Sequence, residues 1–152
     1  MQLALLAALS AGTAAALAAS GVPARVPAEA AAPPDSALAA RIAGHWTGRR
    51  TSSNTKQADH MAMTLSKSDD GALEGSVTVA GEPAVPVQGV WTSDTAFILE
   101  SAPHKSSDLH ERVVTRSLVY FKGDSLTGKF ESRPMKYEGK TASGNFEVGR
   151  QT

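Results

Sequence analysis

From Gly44 to Arg150, apolar residues recur at every second position in short segments broken by turn-forming clusters. An extended strand points successive side chains to opposite faces, so this period describes strands with one buried face. Met61, Met63 and Leu65 share one face, as do Leu73 and Val77, Leu126 and Phe130, and Phe146 and Val148. These nine side chains are expected inside, because a one-residue slip would expose them all. The spacing predicts strands over residues 44–50, 60–65, 73–79, 87–91, 95–100, 111–121, 125–132 and 144–150. The strands at 95–100 and 111–121 carry apolar residues on both faces, so their inner faces are left undecided. Residues 133–143 read as a loop or a broken strand.

The connections restrict the topology. Asp69-Asp70-Gly71, Thr92-Ser93-Asp94 and Lys122-Gly123-Asp124 are tight turns. A parallel crossover needs a dozen or more residues and usually a helix, so the strands must be antiparallel. The fold expected is an all-β, up-and-down meander of about eight strands, closed or nearly closed into a barrel, which removes free edges. A β-sandwich is the alternative. A short helix should precede the first strand, capped by Asp35 or Ser36 and ended at Gly44, with Leu38 and Ile42 on one face. Asp70-Gly71-Ala72-Leu73-Glu74-Gly75-Ser76 and Gly123-Asp124-Ser125-Leu126-Thr127-Gly128-Lys129 form a weak repeat. Each is a turn followed by Leu-x-Gly, with the glycine where a strand bends or a large side chain crosses the backbone, or else by chance.

Upstream the composition changes. Residues 3–19 are apolar apart from Ser10, Gly12 and Thr13, and small residues follow, as in a signal peptide with its cleavage zone. No Lys or Arg precedes this run, which fits a start further upstream. An uncleaved anchor is the other reading, but the run is short and alanine-rich for a span of about 20 apolar residues. Pro23, Pro27, Pro33 and Pro34 then interrupt an alanine-rich stretch and preclude a continuous helix. The expected organisation is a signal peptide at 1–20, a linker at 21–35 and a β-barrel domain at 36–152. The protein is accordingly expected to be exported, periplasmic or secreted, with no stable membrane insertion after cleavage. Cysteine is absent, so neither a disulfide nor a bacterial lipid anchor is available to it.

Gly44-His45-Trp46-Thr47-Gly48 on the first strand, following a short helix, resembles the opening of the calycin group, the lipocalins, avidins and their relatives. Phe146-Glu147-Val148-Gly149-Arg150 is similar to the closing strand of that group. The ordered set over residues 42–150 also resembles small secreted bacterial barrel domains, which occur alone or as accessory domains beside hydrolases. The resemblance implies a barrel closed by Trp46 and Arg150, with the arginine packed over the indole. It does not imply a ligand. The other lipocalin motifs are missing, and only Trp46 and Trp91 stand where avidins have a run of tryptophans.

Few residues point to chemistry. Lys+Arg and Asp+Glu are both 15, which argues against a nucleic-acid partner, since such proteins need a basic face. His104 and His110 bracket Asp108 and lie beside Glu111, donors that a divalent metal can use, but the spacing matches no tight site. The expectation is an exposed, solvated loop over 101–110 that holds no metal. His45 should face outward, and Asp59-His60 should be an exposed pair at a strand start. Arg49, Arg50 and Lys56 read as a basic spot on a solvated rim. No Gly-x-Ser-x-Gly elbow and no phosphate-binding glycine loop is present. Neither enzymatic activity nor a cofactor is expected. The function expected is interior binding of a small apolar ligand, with Met61, Met63 and Trp91 as the lining, because methionine adapts to irregular apolar partners. The alternative is an interaction or accessory module, such as an inhibitor of an exported enzyme.

Overall fold

The computed structural model describes residues 36–136 and 138–152, with the side chains of 36–38 left aside. The expected signal peptide and linker lie outside the described residues. One helix, α1 (Ser36–Ile42), leads into nine strands: β1 (Gly44–Ser52), β2 (Ala58–Lys67), β3 (Leu73–Val79), β4 (Val85–Ser93), β5 (Ala96–Ser101), β6 (His104–Lys105), β7 (Arg112–Lys122), β8 (Ser125–Pro134) and β9 (Ala142–Arg150). Among the described residues no helix is long and apolar enough to cross a membrane.

Every pairing is antiparallel. β1 pairs with β2 on one side (Trp46 opposite Met63) and with β9 on the other (Trp46 opposite Arg150). β5 pairs directly with β7, Phe97 lying opposite Val119. The ring β1-β2-β3-β4-β5-β7-β8-β9 therefore closes as an eight-stranded barrel in meander order, and the sandwich alternative is set aside. β6 is a two-residue strand on the first part of β7, within the segment expected to be a plain loop. The stretch expected as a loop at 133–143 is shorter, because β8 runs to Pro134 and β9 begins at Ala142.

Eight of the nine side chains expected inside are buried, and Val77 is half-buried against the same core. The alternation also settles the two undecided strands. Phe97 and Leu99 of β5 point inward, as do Val113, Ser117, Val119 and Phe121 of β7. In the Leu-x-Gly repeat, Gly128 illustrates the close approach: a Cβ there would lie 2.3 Å from Cζ of Phe146, whose ring crosses the β8 backbone.

The interior is divided along the barrel axis. At the end where β1 begins and β9 finishes, it holds Trp46, Phe97, Phe121, Leu126 and Val148. Toward the opposite end the buried inward positions include the polar Arg50, Ser52, Ser101, Ser117 and Ser132 beside apolar residues such as Val113 and Ala142. Tight hairpin turns join the strands at the first end, and the longer loops 53–57, 80–84, 102–111 and 135–141 gather at the second.

Candidate functional site

The first end is plugged. Trp46 is fully buried, and its indole N–H donates to the Ile42 carbonyl at 2.9 Å. The Phe121 ring meets the indole edge-on, with centroids 6.4 Å apart. The Arg150 guanidinium lies 4.3 Å from the centre of the indole ring, and its Nη1 donates to the Ala43 carbonyl at 2.8 Å. A planar cation suits this position, since its face takes the ring quadrupole while its edge keeps its hydrogen bonds. Gly44 makes room for it. Its φ is +141°, and a Cβ there would stand 2.7 Å from Arg150 Nη1. Ile42 of α1 joins the core beneath, and Arg41 lies 5.1 Å over the Phe121 ring. Helix, glycine, tryptophan and arginine thus form one closed cap.

A cavity of about 60 Å³ lies in the other half of the barrel. Met61, Met63, Val77, Val87 and Leu99 supply its apolar wall, and Ser101, Ser117 and Ser132 its hydroxyl wall. The structure brings Met61 and Met63 to this cavity. Trp91 stands elsewhere, which corrects its expected place in the lining. It faces inward from β4, but near the plugged end, packed on Phe97 with ring centroids 5.4 Å apart. Its face follows from alternation with the buried Val87 and Gly89 on β4, while its height along the barrel follows from the strand register.

Arg50 is the main departure from the sequence reading. Expected on a solvated rim, it is 9% exposed and lines the cavity. Counting by two from Trp46 through Gly48 reaches Arg50 and then Ser52, so the strand period held the signal. Arg49, one residue earlier, is exposed, as is Lys56. The Arg50 guanidinium lies 5.1 Å from the centre of the Phe130 ring, and its Nη2 donates to both oxygens of Asp108, at 3.1 and 3.0 Å. Asp59 stands further off, at 3.8 Å from the same nitrogen, and is partly exposed. Arg50 Nε is buried and has no acceptor among the described residues.

The 101–110 segment, expected to be solvated throughout, is corrected as well. Ser101 and Ser106 are buried, and the Asp108 side chain is 2% exposed. The segment is built to present Asp108. Ser106 N–H donates to the Glu111 carbonyl, His110 N–H to the Ser106 carbonyl, and Leu109 N–H to the Ser106 hydroxyl. His110 adopts a φ of +56° to complete this turn. Ser101 Oγ accepts from Thr115 N–H at 2.8 Å, beyond the last β5–β7 residue pair. No group of His, Asp and Glu suited to hold a metal ion occurs among the described residues. His45 is exposed and hydrogen-bonds Thr64, and His60 is exposed beside the half-buried Asp59.

Ser101 and His104 form a hydroxyl–imidazole contact at the cavity, at 3.3 Å. The same ring nitrogen, Nδ1, lies 3.1 Å from the Ala102 carbonyl, which can only accept. With the proton on Nδ1 to serve that carbonyl, the nitrogen facing Ser101 has no lone pair to take the hydroxyl proton.

These features define a closed antiparallel β-barrel with one plugged end and a part-polar cavity at the other, an architecture compatible with the calycin fold. No protein-family model, no curated protein and no solved structure matches the chain.

Proposed function

We propose that this protein is an exported, non-catalytic, calycin-like barrel that binds a small, largely apolar ligand in its interior. The observation that carries the reading is the cavity opposite the Trp46–Arg150 cap, walled on one side by Met61, Met63, Val77, Val87 and Leu99. A well-packed core leaves few voids larger than a water molecule, so a space of about 60 Å³ needs a reason. Serines at the inner positions of three neighbouring strands keep it open, where larger apolar residues would fill it. The Ala102 carbonyl, 3.1 Å from His104 Nδ1, competes with Ser101 for that nitrogen, which supports a role without catalysis. The test is native mass spectrometry of the protein taken from its own compartment. A retained small molecule, lost on Val77→Phe substitution, is expected. An unliganded mass together with an unchanged melting temperature across a library of small apolar compounds would refute the reading.

One observation favours the alternative, an interaction or accessory module such as an inhibitor of an exported enzyme. On the outer face, Val90, Ile98 and Leu118 stand opposite one another on β4, β5 and β7, and Val90 is 70% exposed. Isolated exposed apolar residues are ordinary, whereas a cross-strand row is the form a protein contact takes.

A further inference from the structure

The barrel-interior ligand proposed above has to satisfy Arg50, and this dictates its chemistry. Arg50 lines the cavity, and its Nε–H is buried without an acceptor among the described residues. A wholly apolar ligand would exclude water and strand that donor, which weakens binding by roughly ten-fold or more. The ligand therefore carries an oxygen that can accept from Nε.

The surrounding charges decide which kind of oxygen. Arg50 is already paired with Asp108, whose two oxygens both bond Nη2. Asp59 faces the same nitrogen at 3.8 Å, and Glu82 lines the cavity as well. His104 is the other titratable group on the wall. The arginine charge is thus matched by Asp108, with two further carboxylates close by. A ligand carboxylate would meet this field with no Lys or Arg other than Arg50 among the described lining residues to offset it, and like charges in a desolvated site repel strongly. A neutral carbonyl accepts the Nε hydrogen bond without adding charge.

We propose that the ligand is a neutral carbonyl compound, a ketone, ester or amide with a short apolar body. Its oxygen hydrogen-bonds Arg50 Nε–H, and its alkyl part lies against Met61, Met63 and Leu99. Size sets a limit: an apolar cavity of about 150 Å³ admits benzene, so about 60 Å³ holds the carbonyl head and its first carbons, and the rest of the alkyl chain leaves through the loop end.

The test is an NMR titration with three five-carbon probes: 2-pentanone, pentanoate and 1-pentene. It follows the Arg50 Nε–H resonance and the amides of Leu99, Ser101 and Ser117. The expected result is that 2-pentanone shifts the Nε–H signal and binds about ten-fold more tightly than either other probe. The charge-matched double variant R50M/D108L, which leaves neither ion unpaired, should lose the preference for the ketone over the alkene. Equal binding of ketone and alkene with an unmoved Nε–H signal would overturn the acceptor role of the ligand and leave interior binding standing. Tighter binding of pentanoate would overturn its neutrality. Unmoved cavity resonances with all three probes would remove both this inference and the interior-binding reading on which it rests.

Discussion

Arg150→Ala should loosen the closed end of the barrel by an amount that the geometry allows to be worked out. The guanidinium stands 4.3 Å from the centre of a fully buried indole, which places its cation–π contribution at about 1–2 kcal/mol, since one side of the contact is desolvated. It also donates to the Ala43 carbonyl at 2.8 Å. That carbonyl lies at the barrel end, where water can replace the lost donor, so the hydrogen bond adds only about 1 kcal/mol. The Asp124 carboxylate, 3.9 Å away and 92% exposed, contributes little. The total is roughly 2–3 kcal/mol, or about 8–12 °C in Tm at about 4 °C per kcal/mol for a domain of this size. The assay is thermal and urea unfolding followed by tryptophan fluorescence, in which the native emission of Trp46 should also move to the red as water reaches its ring. Arg150→Lys should recover less than half of the loss, because an ammonium keeps the charge but not the planar stacking. An unchanged Tm for Arg150→Ala would refute the account of barrel closure.

Gly44→Ala should cost about 1–3 kcal/mol, since its φ is +141° and the new Cβ would press on Arg150 Nη1. Part of that cost should vanish in an R150A background, which a double-mutant cycle by urea unfolding would read as coupling. Asp108→Ala should destabilise by about 2–3 kcal/mol, because the partly exposed Asp59, 3.8 Å from the same nitrogen, offsets only part of the buried charge left behind, and R50M/D108L should be closer to wild type. Comparable stabilities for the single and double variants would contradict that pairing. The exposed Asp70 carboxyl is held below its ordinary 3.8 by the Ser68 hydroxyl first and then by the Ala72 N–H. Its contribution is therefore present above pH 3.8 and is lost as pH falls through the lower folded value. Asp70→Asn should flatten the acid limb of the stability–pH curve in that window, and an identical acid limb would dismiss the turn as a source of it.

Much of the architecture was legible in the chain itself. Alternation and tight turns are local properties, and a strand shorter than its hairpin partner can still be placed by its neighbours' faces. So the meander, the helix before β1 and the inward set from Met61 to Val148 could all be read without coordinates. The pairing of the strands that carry Trp46 and Arg150 was legible too, because the first and last strands of a closing sheet must meet, while the contact between the two side chains was what the calycin resemblance implied.

What only the tertiary structure decided is where charge and depth fall. Period two assigns a face but not a height, so Trp91 was placed on the right side of β4 and at the wrong end of the barrel. Its level depends on the stagger between strands, a sum over every pairing around the ring. Arg50 lay on the inner face by the same count from Trp46, yet a buried arginine is tolerable only beside a partner. That partner, Asp108, lies fifty-eight residues further along, in a segment with no period to read. Closing the barrel brings the two together, and the pairing makes the loop a wall of the cavity where the sequence showed only solvated polar residues.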